Sequence, residues 1–149
     1  MEAGKSSSWG RTEALDAAAR TIGDRWSLRL VGVLLEGDRT FSELSGDITG
    51  IAPTILTARL RTLQGLGLLI ATPYEHRPVR MRYSLTTPGR RLGAAIATLA
   101  EWGGAREGAS GSPVHARCGT PLVTRPWCPT CEEPVDPVDR DAAGDLVWC

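Results

Sequence analysis

Lysine is almost missing from this sequence: of 17 basic residues, all but Lys5 are arginines. Such a bias points to a GC-rich bacterial genome. Histidine is scarce as well, with only His76 and His115, far apart in the chain. There is no glycine-rich phosphate loop and no serine with a nearby histidine and acid, so the usual nucleophilic and acid–base constellations are missing and an enzyme is not expected. No apolar run approaches the ~20 residues that cross a bilayer. The opening MEAGKSSSWG lacks the apolar stretch of a signal peptide. The expected setting is a reducing cytoplasm, where the four cysteines serve as metal ligands or free thiols rather than disulfides. What is present, 42% hydrophobic and 23% charged residues over 149 positions, suits one domain with a real core plus a small appendage.

Net charge is absent from the total, 17 basic against 17 acidic residues, but not from the parts. Residues 59–91 carry Arg59, Arg61, Arg77, Arg80, Arg82, Arg90 and Arg91 against Glu75 alone, a local charge of +6. Residues 1–58 carry −2, residues 92–112 carry −1 and residues 113–149 carry −3. A basic block inside a neutral chain is the footprint of an anion-binding face, nucleic acid being the commonest anion of that extent; a solvated surface is the plain alternative.

Breakers and periodicity divide the chain. Residues 1–11 read as a flexible arm. Residues 12–22 and 25–35 read as two helices, with Leu15, Ala19, Ile22, Trp26, Leu30 and Val33 at spacings of three and four and Asp24 as N-cap of the second. Thr40 and Glu43 form a capping box that opens a short third helix through about Asp47. Pro53 begins a fourth helix over 53–65, stopped by Gly65 and Gly67. Leu68–Thr72 and Met81–Thr86 read as strands joined by PYEHRPV, which is expected to be a loop. Thr87-Pro88 begins a fifth helix with Leu92, Ile96 and Leu99 on one stripe and Ala95 and Trp102 beside it, ending near Gly108. Residues 108–114 have linker composition, and residues 115–149 form a cysteine-bearing tail. The fold class is α+β, mainly α: this element order is that of a winged helix-turn-helix domain with a two-stranded wing, followed by a small β segment.

The strings IGDRWSLRLVGVLLEGDRTFSEL, IAPTILTARLRTLQGLGLL and VRMRYSLTTPGRRL, with a Trp near the end of the last helix, resemble the HxlR-type transcriptional regulators, relatives of the MarR group. The likeness covers about residues 12–107. It implies a homodimeric winged-helix protein that binds operator DNA, usually as a repressor. Two departures stand out. Many relatives carry a cysteine just before the first helix that senses thiol-reactive or aldehyde stress, and TEALDAA has none here, which leaves any small-molecule or thiol-reactive inducer unknown. Many also place Ser before the proline of the recognition helix; Ala52 stands there instead and forgoes a side-chain cap worth ~1 kcal/mol.

Independently of that likeness, the fourth helix divides by angle, about 100° per residue. Leu56, Leu60 and Leu63 share one side, flanked by Ile55; Thr54, Thr57, Ala58, Arg61 and Gln64 share the other. The second set is small, hydrogen-bonding and cationic, and it suits a major groove: Arg61 for guanine, the threonines for phosphates or bases, Ala58 for a thymine methyl. Arg59 falls on the packed side and needs an acid, Glu43 being the expected partner. Residues 73–80 form the wing, where Arg77 and Arg80 are candidates for the minor groove or flanking phosphates, with His76 beside them. Arg90 and Arg91 hint at phosphate contact or are simply solvated. Apolar stripes on the first and fifth helices exceed the need of one small core and favour a dimer on an inverted-repeat operator.

The tail contains His115-x2-Cys118 and Cys128-x2-Cys131, nine residues apart. Two such turns can converge four soft ligands in the tetrahedral geometry of structural zinc, in the manner of a miniature zinc ribbon. Leu122–Thr124, Val135 and Val147-Trp148 are candidate strands. Cys149 could replace His115 as ligand, or the tail could hold no metal and act as a thiol switch. With ~40 residues and few apolar side chains, it could hardly fold without a staple. Two other functions stay open: a protein-interaction adaptor, and a zinc-responsive regulator that releases DNA as occupancy changes.

Overall fold

Two helices lead the computed structural model, which describes residues 8–107 and 113–135. The first, α1, spans Ser8–Ile22, starting ahead of the expected boundary at residue 12. The second, α2, spans Arg25–Glu36. Asp24 is its N-cap, accepting hydrogen bonds from the backbone N–H groups of Trp26 and Ser27, both at 3.1 Å. Gly23 fits the junction because its N–H donates to the Ala19 carbonyl at 2.8 Å, where a Cβ would strike that same carbonyl.

A short strand β1 (Arg39–Thr40) follows, then α3 (Phe41–Asp47) and α4 (Pro53–Gly65). The capping box of α3 forms as expected: the Glu43 N–H donates to Thr40 Oγ1 at 3.3 Å, and the Thr40 N–H donates to the Glu43 carboxylate at 2.6 Å. Ala52 occupies the N-cap of α4 with no side-chain hydrogen bond. β2 (Leu69–His76) and β3 (Val79–Leu85) complete a three-stranded antiparallel sheet ordered β1-β3-β2, with Leu69 opposite Leu85 and Arg39 opposite Tyr83.

The wing corrects the expected loop over 73–79. The strands continue to His76 and resume at Val79, leaving only Arg77 and Pro78 as the turn. Pro73 is tolerated because β2 is an edge strand and its register shifts between Pro73 and Glu75, where a missing N–H breaks no regular ladder. The fifth helix is also corrected: it is two helices, α5 (Thr87–Arg91) and α6 (Gly93–Glu107), broken at Leu92. The cap of α5 is Thr86, whose hydroxyl accepts the Gly89 N–H at 3.2 Å and donates to the Gly67 carbonyl at 2.6 Å.

One core unites these elements. Leu30, Val31 and Leu34 of α2 pack with Leu44 of α3, Leu56, Leu60 and Leu63 of α4, and Leu69 and Leu85 of the sheet. Each fully buried leucine contributes roughly 1.5–3 kcal/mol relative to exposure. α6 has no buried residue. In the C-terminal segment, β4 (Trp127–Cys128) pairs with β5 (Glu133–Pro134) and an isolated bridge joins Val114 to Pro121. The strand candidate at Val147-Trp148 and the alternative ligand Cys149 lie outside the described residues.

Gly89 is where α5 approaches the start of β2. A Cβ there would meet the Leu68 carbonyl and crowd the Leu85 side chain, and that carbonyl is held by the Thr86 N–H at 3.0 Å. Gly89→Ala is therefore expected to cost about 1–3 kcal/mol. Thermal unfolding followed by circular dichroism should show a fall of roughly 4–8 °C per kcal/mol; an unchanged midpoint would mean that this contact relaxes freely.

Candidate nucleic-acid interface

The candidate face takes its shape from α4. Leu56 and Leu63 are fully buried and Leu60 nearly so, which fixes the rotation of the helix and turns its other side outward. Thr54, Ala58, Arg61 and Gln64 are exposed on that side, and Thr57 is half-buried. Arg61 has no ion-pair partner among the described residues. The Thr57 hydroxyl donates to the Pro53 carbonyl at 2.9 Å, so it is left as an acceptor toward any ligand. Of the five residues expected on this face, four are open to solvent and one is already engaged by its own helix.

Arg59 corrects an expected pairing. Glu43 is not its partner; the Arg59 Nε lies 3.3 Å from Asp24 Oδ1, joining α4 to the N-terminus of α2. Glu43 is occupied locally, because its carboxylate accepts both the Thr40 N–H and the Thr40 hydroxyl, at 2.6 and 2.8 Å. Those bonds hold it below the usual carboxylate range. Asp24 meanwhile receives three groups besides the arginine: two backbone N–H groups and the hydroxyl of fully buried Ser27, which donates at 2.6 Å. Burial pushes the Asp24 carboxyl up, but the Ser27 and Trp26 hydrogen bonds together with Arg59 outweigh it and hold it below its ordinary value of 3.8. Asp24 was legible as a cap, yet its second bond to α4 had no signal in the local pattern.

The wing arginines differ in their freedom. Arg80 Nε lies 3.1 Å from Glu75 Oε2, its cross-strand neighbour, so its charge is already matched. Arg77 is exposed at the turn and has no ion-pair partner among the described residues. His76 is exposed next to it. Arg82, half-buried on β3, lies 5.3 Å over the Tyr74 ring, a cation–π contact that steadies the wing. Arg39 is tied to Asp47 at 3.1 Å and Glu36 at 3.7 Å. Arg90 and Arg91 are exposed on α5.

The proposed metal ligands fall into two pairs. His115 Nδ1 lies 3.2 Å from Cys118 Sγ, and Cys128 and Cys131 are hydrogen-bonded neighbours. Among the described residues, no group of three or more His, Cys, Asp and Glu is gathered closely enough to hold a metal ion, so the two pairs are formed but not joined.

A helix-turn-helix with an arginine-bearing outward face, followed by a basic β hairpin, defines a winged-helix transcriptional regulator. Comparison with known proteins agrees: the HxlR-like helix-turn-helix family matches residues 21–109, and the chain belongs to that family. It is 35% identical over 127 residues to an uncharacterized HTH-type transcriptional regulator of Mycobacterium tuberculosis, covering 83% of this chain and 80% of that one. A likeness of that extent runs past the winged domain into the C-terminal segment. Among solved structures, a MarR-family regulator of Enterococcus faecalis matches with TM-score 0.58 and 29% identity, over 72% of this chain and 96% of that one. The redox regulator HypR in its reduced form matches with TM-score 0.60 and 28% identity, over 63% and 93%. The family is one of regulators, not enzymes. Among the described residues no helix is long and apolar enough to cross a membrane.

Asp24→Ala removes a helix cap and the partner of Arg59 together, and should lower stability by about 1–2 kcal/mol at neutral pH. Because the folded carboxyl is held low, its contribution is present above the unfolded value and is lost as pH falls through the folded one. The gap between wild type and variant in urea unfolding should thus be constant near neutrality and narrow below pH 3.8. A gap that widens on acidification would contradict the assignment. Arg59→Ala should also lower stability, whereas Arg61→Ala should leave it unchanged; equal losses in the two would remove the distinction between a structural and a contact arginine.

Proposed function

We propose that this regulator is a homodimeric repressor, acting in the cytoplasm, that reads an inverted-repeat operator with α4 in the major groove and the wing against the flanking minor groove or phosphates. The observation that carries the reading is Arg61, exposed and without an ion-pair partner among the described residues, beside Thr54, Ala58 and Gln64 and opposite a buried leucine stripe. An arginine so placed can form two hydrogen bonds to guanine O6 and N7, while Ala58 meets a thymine methyl. Arg77 at the wing turn supplies charge next to it, and Arg80 adds to that by exchanging Glu75 for phosphate.

The dimer reading rests on surface left uncovered. Residues 12–20 of α1 are all exposed, Leu15 at 67%, and on α6 Leu99 and Trp102 are exposed at 51% and 64%. An alanine-rich helix without a packed face is marginal in water, and apolar residues at that density mark an interface. Two-fold pairing of these helices would place two copies of α4 about one DNA turn apart.

Selection of bound sequences from a random DNA pool should return an inverted repeat, and affinity should fall steeply with salt. Arg61→Ala should weaken operator binding by at least about 30-fold, the cost of two bidentate contacts of ~1–3 kcal/mol each, one per half-site, and relax selection at one base of each half-site. Trp102→Glu should convert the protein to a monomer in sedimentation analysis and abolish operator binding. Enrichment of no sequence, or a monomeric wild type, would overturn the proposal.

A further inference from the structure

The two ligand pairs of the C-terminal segment sit on turns of the same construction. In the first, the Gly119 N–H donates to the His115 carbonyl at 2.7 Å and Gly119 takes a φ of 71°. In the second, the Glu132 N–H donates to the Cys128 carbonyl at 2.9 Å and Glu132 takes a φ of 56°. Each pair is thus closed by the residue after its second ligand, held in the left-handed region. Glycine accepts that conformation freely, but a glutamate pays for it in steric strain, so the repeated shape is imposed at Glu132 rather than preferred by it. Each turn is also clamped by a short antiparallel contact, Val114 with Pro121 in one case and Trp127 with Pro134 in the other.

The sulfur atoms of both turns face backbone donors. Cys128 Sγ accepts the N–H groups of Thr130 and Cys131, and Cys118 Sγ accepts the Thr120 N–H. Amides aimed at sulfur are the arrangement that supports a coordinated thiolate. The separation of 3.2 Å between His115 Nδ1 and Cys118 Sγ is close to the edge of about 3.6 Å that nitrogen and sulfur subtend on one tetrahedral zinc, given bonds of about 2.1 and 2.3 Å. Among the described residues nothing apolar holds these turns in place: every residue from 113 to 134 is exposed except Cys128, which is half-buried.

We propose that the two turns are half-sites of one structural Zn²⁺ centre, with His115, Cys118, Cys128 and Cys131 as its ligands and the metal standing in for the core that residues 113–135 lack. Four protein ligands leave no open position, which makes the centre structural rather than catalytic. Binding would bring the two pairs together, with the thiol protons released to solvent.

The test uses the full chain, reduced and freed of metal with a chelator, then titrated with Co²⁺ and Zn²⁺. One Co²⁺ per chain is expected, with the intense visible bands of a tetrahedral site and the ultraviolet absorption of thiolate bonds, both abolished by one equivalent of Zn²⁺. Cys118→Ser and Cys131→Ser should each lose the bound metal, as should His115→Ala, while Cys149→Ser should keep it. The wild-type cobalt spectrum reads the site without any variant, and the unfolding midpoint of the winged domain shows that each variant is folded. No metal on the reduced wild type, an octahedral spectrum, or full retention in both cysteine variants would overturn the proposal. Loss in Cys149→Ser with retention in His115→Ala would overturn the stated ligand set.

Discussion

Burial of one leucine stripe on α4 governs the rest of the domain. Leu56, Leu60 and Leu63 face α2 and the sheet, and a helix of 13 residues has only one way to place all three inside. That choice determines which residues meet solvent. Rotation alone would still leave the axis free to pivot about the leucines, and the contact between Arg59 and Asp24 opposes this at the α2 end. The same carboxylate caps α2 and accepts the Ser27 hydroxyl, so the tilt of the outward helix and the start of the helix beneath it share one anchor. A half-exposed ion pair alone contributes little to stability. Its effect here is geometric, because the aspartate is already fixed by three hydrogen bonds before the arginine arrives.

The basic block is less uniform than its sum. Of the arginines that make up the +6 segment, Arg59 is engaged by Asp24 and Arg80 by Glu75, while Arg82 lies over an aromatic ring. Arg61, Arg77, Arg90 and Arg91 are exposed without an ion-pair partner among the described residues. All of these charges add to the local field, but only the unmatched ones can take a new anionic partner without giving one up. Arg61 and Arg77 lie on α4 and at the wing turn, the two elements proposed to meet DNA, so a block that looks diffuse along the chain leaves two of its unmatched charges on those two elements beside charge that is already matched.

Much of this was legible in the sequence because it is local. The cap at Asp24, the box of Thr40 and Glu43, the Pro53 start of α4 and the two faces of that helix depend on spacings of four residues or fewer, and all stand as expected save Ile55, placed with the leucines but 39% exposed. The failures depend on contacts between distant segments. Glu43 was the nearest acid by element order, yet nothing local told that its carboxylate would fold back on Thr40 while Asp24, 35 residues from Arg59, took the pairing. The length of the wing was masked by its prolines: Pro73 forbids a central strand, and only the sheet order reveals that β2 is an edge. β1 is two residues long and exists only through β3, so it has no periodicity to detect. The break at Leu92 was hidden by a continuous apolar stripe, which records the face of a helix but not a change of axis.

The polar and apolar parts of the domain are finished to different degrees. No buried side-chain nitrogen or oxygen among the described residues lacks a hydrogen-bond partner. The apolar surface is not treated in the same way, for Leu15, Leu99 and Trp102 remain exposed while the leucines of the core are closed off from solvent. Had those side chains served only the monomer, polar replacements would cost nothing in packing and would lower the risk of association. They lie on α1 and α6, the first and last helices of the winged domain, whereas Arg61 lies on α4 and Arg77 at the wing turn. Under the dimer we propose, the apolar surface of α1 and α6 is what the second copy covers, and the unmatched arginines of α4 and the wing stay open.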